Sequence, residues 1–146
     1  MSMDSASTLT HIRLEYDVHN IAWLHLDMAD SKVNLLSGAV LEELRAILDQ
    51  LANNVPQGVI ILSDKKAGFI FGADIKEFLE LDDISQSQPF LDRGHEIMDK
   101  LEALACPTVS MVNGMCLGGG MELSLACDYI VAPDNSSTRL GLPEIK

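Results

Sequence analysis

The 146-residue chain carries ten Lys and Arg against 22 Asp and Glu, a formal charge of −12, and 47 % of its residues are hydrophobic. That length fits one ordinary domain, and the composition excludes intrinsic disorder. An acidic surface also repels phosphate backbones, which argues against a general nucleic-acid or anionic-membrane binder.

The first ten residues contain neither a basic cluster nor an apolar block, so they read as a flexible lead ahead of a folded region at 11–146. His11–Asp17 and Ile21–Asp27 flank the polar break His19-Asn20 and predict a β-hairpin. Ser37 then stands as an N-cap before Val40, Leu41, Leu44, Ile47, Leu48 and Leu51, whose spacing predicts an amphipathic helix ending near Asn53-Asn54. Gly58–Ser63 is apolar on both faces, as a strand covered on each side must be. The segment 64–72 reads as a loop and 73–81 as a short acidic helical stretch. Pro89 opens a further helix that Pro107 stops. A strand over 108–113, a Gly-rich turn over 114–120, a helix from Met121 to about Ala126 and an apolar run at 129–132 follow. Loop 133–138 leads to Gly141-Leu-Pro-Glu-Ile-Lys146. This order is that of an α/β protein. No apolar run reaches the ~18 residues that would span a bilayer.

Cys106, Cys116 and Cys127 form no CxxC pair, so neither a disulfide framework nor a zinc or other metal site is expected. A reducing compartment fits, a bacterial cytoplasm first and a mitochondrial matrix second.

The chemistry concentrates at Met115–Ser124. A strand feeding Gly118-Gly119-Gly120 and then a helix aims backbone N–H groups at whatever lies above the turn. No Gly-Lys-Ser/Thr follows, and the acid Glu122 in the first helical turn opposes a phosphate. The same geometry suits the oxygen of a carbonyl becoming an oxyanion, for which a second donor is needed. Phe69–Lys76, with Gly72 before a helical start, repeats the design. Glu122 and Glu144 supply two carboxylates. Sharing an apolar cleft would separate their pKa values into an acid and a base, and Met121, Leu123 and Leu125 around Glu122 predict such burial.

Phe71–Lys76, Asn113-Gly114 with Leu117–Glu122, Cys127–Tyr129 and Gly141–Glu144 resemble the crotonase (enoyl-CoA hydratase/isomerase) family. Lys32-Val-Asn34, Phe69–Phe78 and Gly141–Lys146 resemble especially the N-terminal part of the multifunctional β-oxidation α-subunits. The resemblance implies a ClpP/crotonase spiral of β-β-α units, represented here without its C-terminal helices. It also implies hydration of trans-2-enoyl-CoA, with Δ3-to-Δ2 isomerisation beside it. Ala73 and Gly119 would form the oxyanion hole. Glu122 and Glu144 would be catalytic, and Gly72, Asp74, Gly118, Gly120 and Pro143 would line the substrate. Hydration needs no cofactor, coenzyme A being part of the substrate; NAD would enter only with a following dehydrogenase region. The implied partners are an acyl-CoA thioester and, for the longer protein, a homo-oligomer or a complex with a thiolase subunit. Two alternatives stand: another acyl-CoA reaction of the superfamily, such as hydrolysis or decarboxylation, and an inactive fragment acting through binding or assembly.

Plainer readings exist for single residues. The glycines serve helix packing, Asp74 is a helix-start acid, and Lys65-Lys66 is a surface pair with some reach for a CoA phosphate. His25 and His95 read as structural, and Cys116 lacks a histidine to make it a nucleophile.

Overall fold

The structure, a computed structural model, describes residues 6–73 and 87–142. Its first two strands after the lead are β2 (Ile12–Tyr16) and β3 (Ile21–Leu26), the expected hairpin, paired antiparallel with Leu14 opposite Leu24. Part of the lead is ordered as well. Ala6–Thr8 form strand β1, antiparallel to β2, in place of the flexible stretch expected for 1–10.

Helix α1 (Gly38–Asn53) starts where Ser37 predicts: the Ser37 hydroxyl accepts the Val40 N–H, and the six apolar positions named above are all buried. Strands β4 (Gly58–Ser63), β6 (Thr108–Met111) and β8 (Tyr129–Val131) extend β3 in parallel, giving one six-stranded sheet ordered β1-β2-β3-β4-β6-β8. Helix α2 (Ser87–Glu102) leads into β6, and helix α3 (Gly119–Leu125) leads into β8. A parallel neighbour requires such a crossover.

A second sheet lies in segments read as loop or turn from sequence, or given no element there (139–141). Strands β5 (Gly68–Ile70), β7 (Met115–Leu117) and β9 (Arg139–Gly141) are each three residues long and pair in parallel in that order. From β4 on, the chain lays one strand in the large sheet and the next in the small one, and helices carry it back to the large sheet. The result is a spiral of strand, strand and helix. Leu36 joins the small sheet through a parallel bridge to Ala73, so the first turn obeys the same rule. The acidic stretch 74–81 lies outside the described residues.

The junction between turns is polar and buried. Asn34, 3 % exposed, accepts the Met28 N–H on Oδ1 at 2.9 Å. Its Nδ2 donates to Phe69 O and Ser63 Oγ, each at 2.9 Å, and to Leu26 O at 3.3 Å. The Ser63 hydroxyl passes the linkage on by donating to Gly68 O at 2.7 Å. Lys65 is equally committed: its ammonium donates to Met28 O at 2.7 Å and Ser31 O at 2.6 Å and pairs with Asp27 at 2.7 Å. These contacts occupy the lysine in bracing the 27–31 loop, which removes the basis for a phosphate role. His25 faces Asp64, with Nδ1 to Oδ1 at 2.9 Å, in keeping with a structural place.

Under α3, Ser124 Oγ lies 2.8 Å from Ser110 Oγ and 3.4 Å from Cys116 Sγ, all three fully buried. Burial pushes the Cys116 and Cys106 thiols up, and pushes Cys127 up to about 12.

Replacing Asn34 by alanine leaves four backbone or hydroxyl partners short of a hydrogen bond inside the protein. The expected loss is about 3 kcal/mol, read as a lower urea midpoint with unchanged slope. Thiol chemistry checks the burial independently. At about pH 8.5, where an ordinary thiol is half ionised, Cys127 in the native chain has a thiolate fraction smaller by on the order of a thousandfold. Iodoacetamide is therefore expected to label it very slowly until urea is added, when all three cysteines react. The unfolded thiols ionise first, so stability falls as pH rises past about 9.

Candidate active site

Two turns of the spiral line one cavity, through Gly72 and Ala73 in the first and Gly118 and Gly119 in the second. In the first, the Phe71 N–H donates to Asn34 O at 2.9 Å and Gly72 O accepts the Leu36 N–H at 2.8 Å. Regular strand alternation forbids both bonds on the same side. Gly72, with φ 128°, breaks the alternation, and the next N–H, that of Ala73, turns away from Leu36. It meets no backbone acceptor among the described residues.

The second donor sits at the start of α3. Gly118 caps the helix at φ 54° and ψ −120°, a conformation closed to residues with side chains. Its N–H is spent on Gly141 O at 3.0 Å, and its carbonyl accepts the Glu122 N–H at 3.0 Å. The Gly119 N–H, in the first turn, has no intrahelical acceptor. The helix therefore begins two residues earlier than the apolar pattern at Met121 indicates. Gly120 is a packing glycine. A Cβ there would stand 2.7 Å from Ile70 Cβ, and one on Gly119 would stand 2.8 Å from Leu36 Cδ1. The same two contacts fix how near α3 approaches β5 and the Leu36 bridge.

The cavity encloses about 700 Å³. Gly72, Ala73, Gly118, Gly119 and Glu122 line one side; Phe90, Leu91, Gly94, His95 and Met98 of α2 line the other, with Leu36, Leu41 and Phe71 completing the apolar wall. Five of the nine site residues expected from sequence thus meet at one cavity. Gly120 lies behind it against Ile70, and Asp74, Pro143 and Glu144 lie outside the described residues.

Glu122 departs from expectation in its surroundings. It is exposed, as is Leu125 at 59 %, whereas Leu123 is fully buried. A seven-residue helix buries one face only, here Gly120, Leu123 and Ser124 against the two sheets, and Glu122 and Leu125 fall on the other. His95, read as structural, is an exposed residue of the cavity wall. The sequence signal for it was its place three residues before Met98, on the stripe that also holds Leu91. Among the described residues no group of His, Cys, Asp and Glu is arranged to hold a metal ion, and no helix is long and apolar enough to cross a membrane.

The family model for enoyl-CoA hydratase/isomerase matches residues 19–146. A fatty acid oxidation complex subunit alpha from Vibrio campbellii is 40 % identical over 134 residues, covering 91 % of this chain and 19 % of that protein. Its counterpart from Aliivibrio fischeri is 39 % identical over 132 residues, covering 89 % and 19 %. Among solved structures, an enoyl-CoA hydratase from Bacillus anthracis superposes with a TM-score of 0.84 at 34 % identity, over 92 % of this chain and 51 % of that one. The chain therefore spans about a fifth of these curated relatives and about half of that solved neighbour. With the spiral of two sheets and the match over 19–146, the chain belongs to the enoyl-CoA hydratase/isomerase family.

Proposed function

We propose that this chain carries the oxyanion hole and one acid–base carboxylate of an enzyme that adds water to trans-2-enoyl-CoA thioesters in fatty-acid β-oxidation. The observation that supports the reading is that Ala73 and Gly119, whose N–H groups meet no backbone acceptor among the described residues, line one largely apolar cavity together with Glu122.

Conjugate addition of water puts hydroxyl on C3 and a proton on C2 and passes through an enolate whose negative charge sits on the thioester oxygen. Two N–H donors fixed before the reaction stabilise that charge without reorganising, and the apolar wall keeps competing water away. The step is redox-neutral and calls for no electron carrier. Glu122 takes a proton from the attacking water, and Glu144 is assigned the complementary delivery to C2. Gly72 and Gly118 set the backbone direction of the two donors, and Gly120 sets the depth of the helix. Asp74 and Pro143 are assigned to the walls of the substrate channel.

Isomerisation is the companion activity we propose: a carboxylate at the cavity, as Glu122 is, can carry a proton from C4 to C2 of a 3-enoyl thioester. The relatives named fatty acid oxidation complex subunit alpha support a place in a bacterial cytoplasmic β-oxidation assembly. A homo-oligomer or a complex with a thiolase subunit is the corresponding partner proposal for the longer protein.

Glu122→Gln is expected to lower the rate of enoyl absorbance loss by at least ~10²-fold, the usual scale for removing a general acid or base. Glu144→Gln should do the same for hydration. Near-normal hydration in both variants would overturn the two-carboxylate assignment. Hydration lost in Glu144→Gln while 3-enoyl isomerisation persists would support Glu122 as the carrier of the shuttled proton.

A further inference from the structure

Helix α2 buries Ile97 and Leu101 in the core and turns Leu91, Gly94 and Met98 to the cavity, positions that share a stripe at i, i+3 and i+7. The middle one is a glycine eight residues from the end of a sixteen-residue helix. Glycine in a helix interior is unfavourable, so its presence there requires a reason. At three other glycines lining or backing the cavity the reasons are visible: positive φ at Gly72 and Gly118, and contact with Ile70 at Gly120. Gly94 has neither. Its φ is not in the left-handed region, and among the described residues no atom lies within 4 Å of where its Cβ would stand.

The missing side chain leaves a notch in the cavity wall, flanked by Leu91 and Met98 on its own helix. The cavity surface is apolar at Phe90, Leu91 and Met98, and a depression beyond His95 turns polar, lined by Asp92, Glu96, Asp99 and Lys100. A slender hydrocarbon fits the first surface and is unwelcome on the second.

We propose that Gly94 is the chain-length determinant of this site: its notch seats the distal methylenes of an unbranched acyl thioester longer than four carbons, along the Leu91–Met98 stripe. This rests on the acyl-thioester reading above and adds to it a preference for straight chains of medium or greater length. Methionine at 98 suits the task, because an unbranched thioether side chain adjusts to chains of different length.

Saturated acyl-CoA thioesters test the proposal by calorimetric titration of the 146-residue chain, with no need for turnover. The wild type is expected to bind dodecanoyl-CoA more tightly than butyryl-CoA. Gly94→Leu should weaken dodecanoyl-CoA by tenfold or more, equivalent to about two buried methylene groups, and weaken butyryl-CoA by a clearly smaller factor. Gly94→Ala guards against misfolding. Alanine favours the helix, so this variant should melt a few degrees higher while still losing part of the dodecanoyl preference. Equal binding of the two thioesters by the wild type, an unchanged preference in both variants, or a parallel loss for both thioesters would overturn the role of Gly94 and leave the acyl-thioester reading standing. Failure of the wild type to bind either thioester would instead overturn that reading, and the notch with it.

Discussion

The buried carboxamide of Asn34 is the contact on which the rest of the molecule depends. It holds the end of β3, the loop after it, Ser63 at the end of β4 and Phe69 in β5 at once, while its own backbone carbonyl receives Phe71. Two residues on, Leu36 hydrogen-bonds Gly72 through its backbone and meets Gly119 through its side chain. A single polar residue therefore relates the first spiral turn to both Gly72 and Gly119 of the cavity wall. Buried amides of this kind are costly unless every partner is supplied, and here the described residues leave no buried side-chain polar atom unpaired.

The strong elements were legible because each had a periodic or capping signal. Ser37 with six apolar positions defines α1, and the two-sided apolar run Gly58–Ser63 defines β4. The small sheet was not legible. Strands of three residues are too short to express a period of two, and Gly68, Gly114 and Gly118 inside or beside them look like turn residues. The site was legible at the level of motifs, since Gly72, Ala73, Gly118, Gly119 and Glu122 do share a cavity. What local apolarity misjudged was the setting of Glu122. Met121, Leu123 and Leu125 resemble a buried run, but a single short helix has one inward face, and only Leu123 of the three is fully buried. The opposite wall, carried by α2, is brought to the site by packing against α1, and no local pattern announces that.

The cavity carries little charge among the described residues. The chain is acidic as a whole, yet backbone and apolar side chains dominate the lining, with Glu122 and His95 its ionisable members there. Lys65, the cation that sequence places beside the donor loop, is consumed by Asp27, Met28 and Ser31. Donors built from backbone keep their direction whatever the ionic strength, because peptide groups do not titrate and are not held by flexible side chains.

The small sheet also acts as a ruler. Leu117 pairs with Gly141, Gly118 donates to Gly141 O, and Arg139 and Thr138 both bond Gly114, so Gly141 is held at a fixed position beside the Gly loop. The loop residues before Thr138 lie upstream of those contacts. Residues inserted or removed there change the contour length of the connection without changing where it arrives, much as slack in a rope leaves a cleated end in place. A change of length before Thr138 is thereby uncoupled from the place at which Gly141 meets the Gly loop.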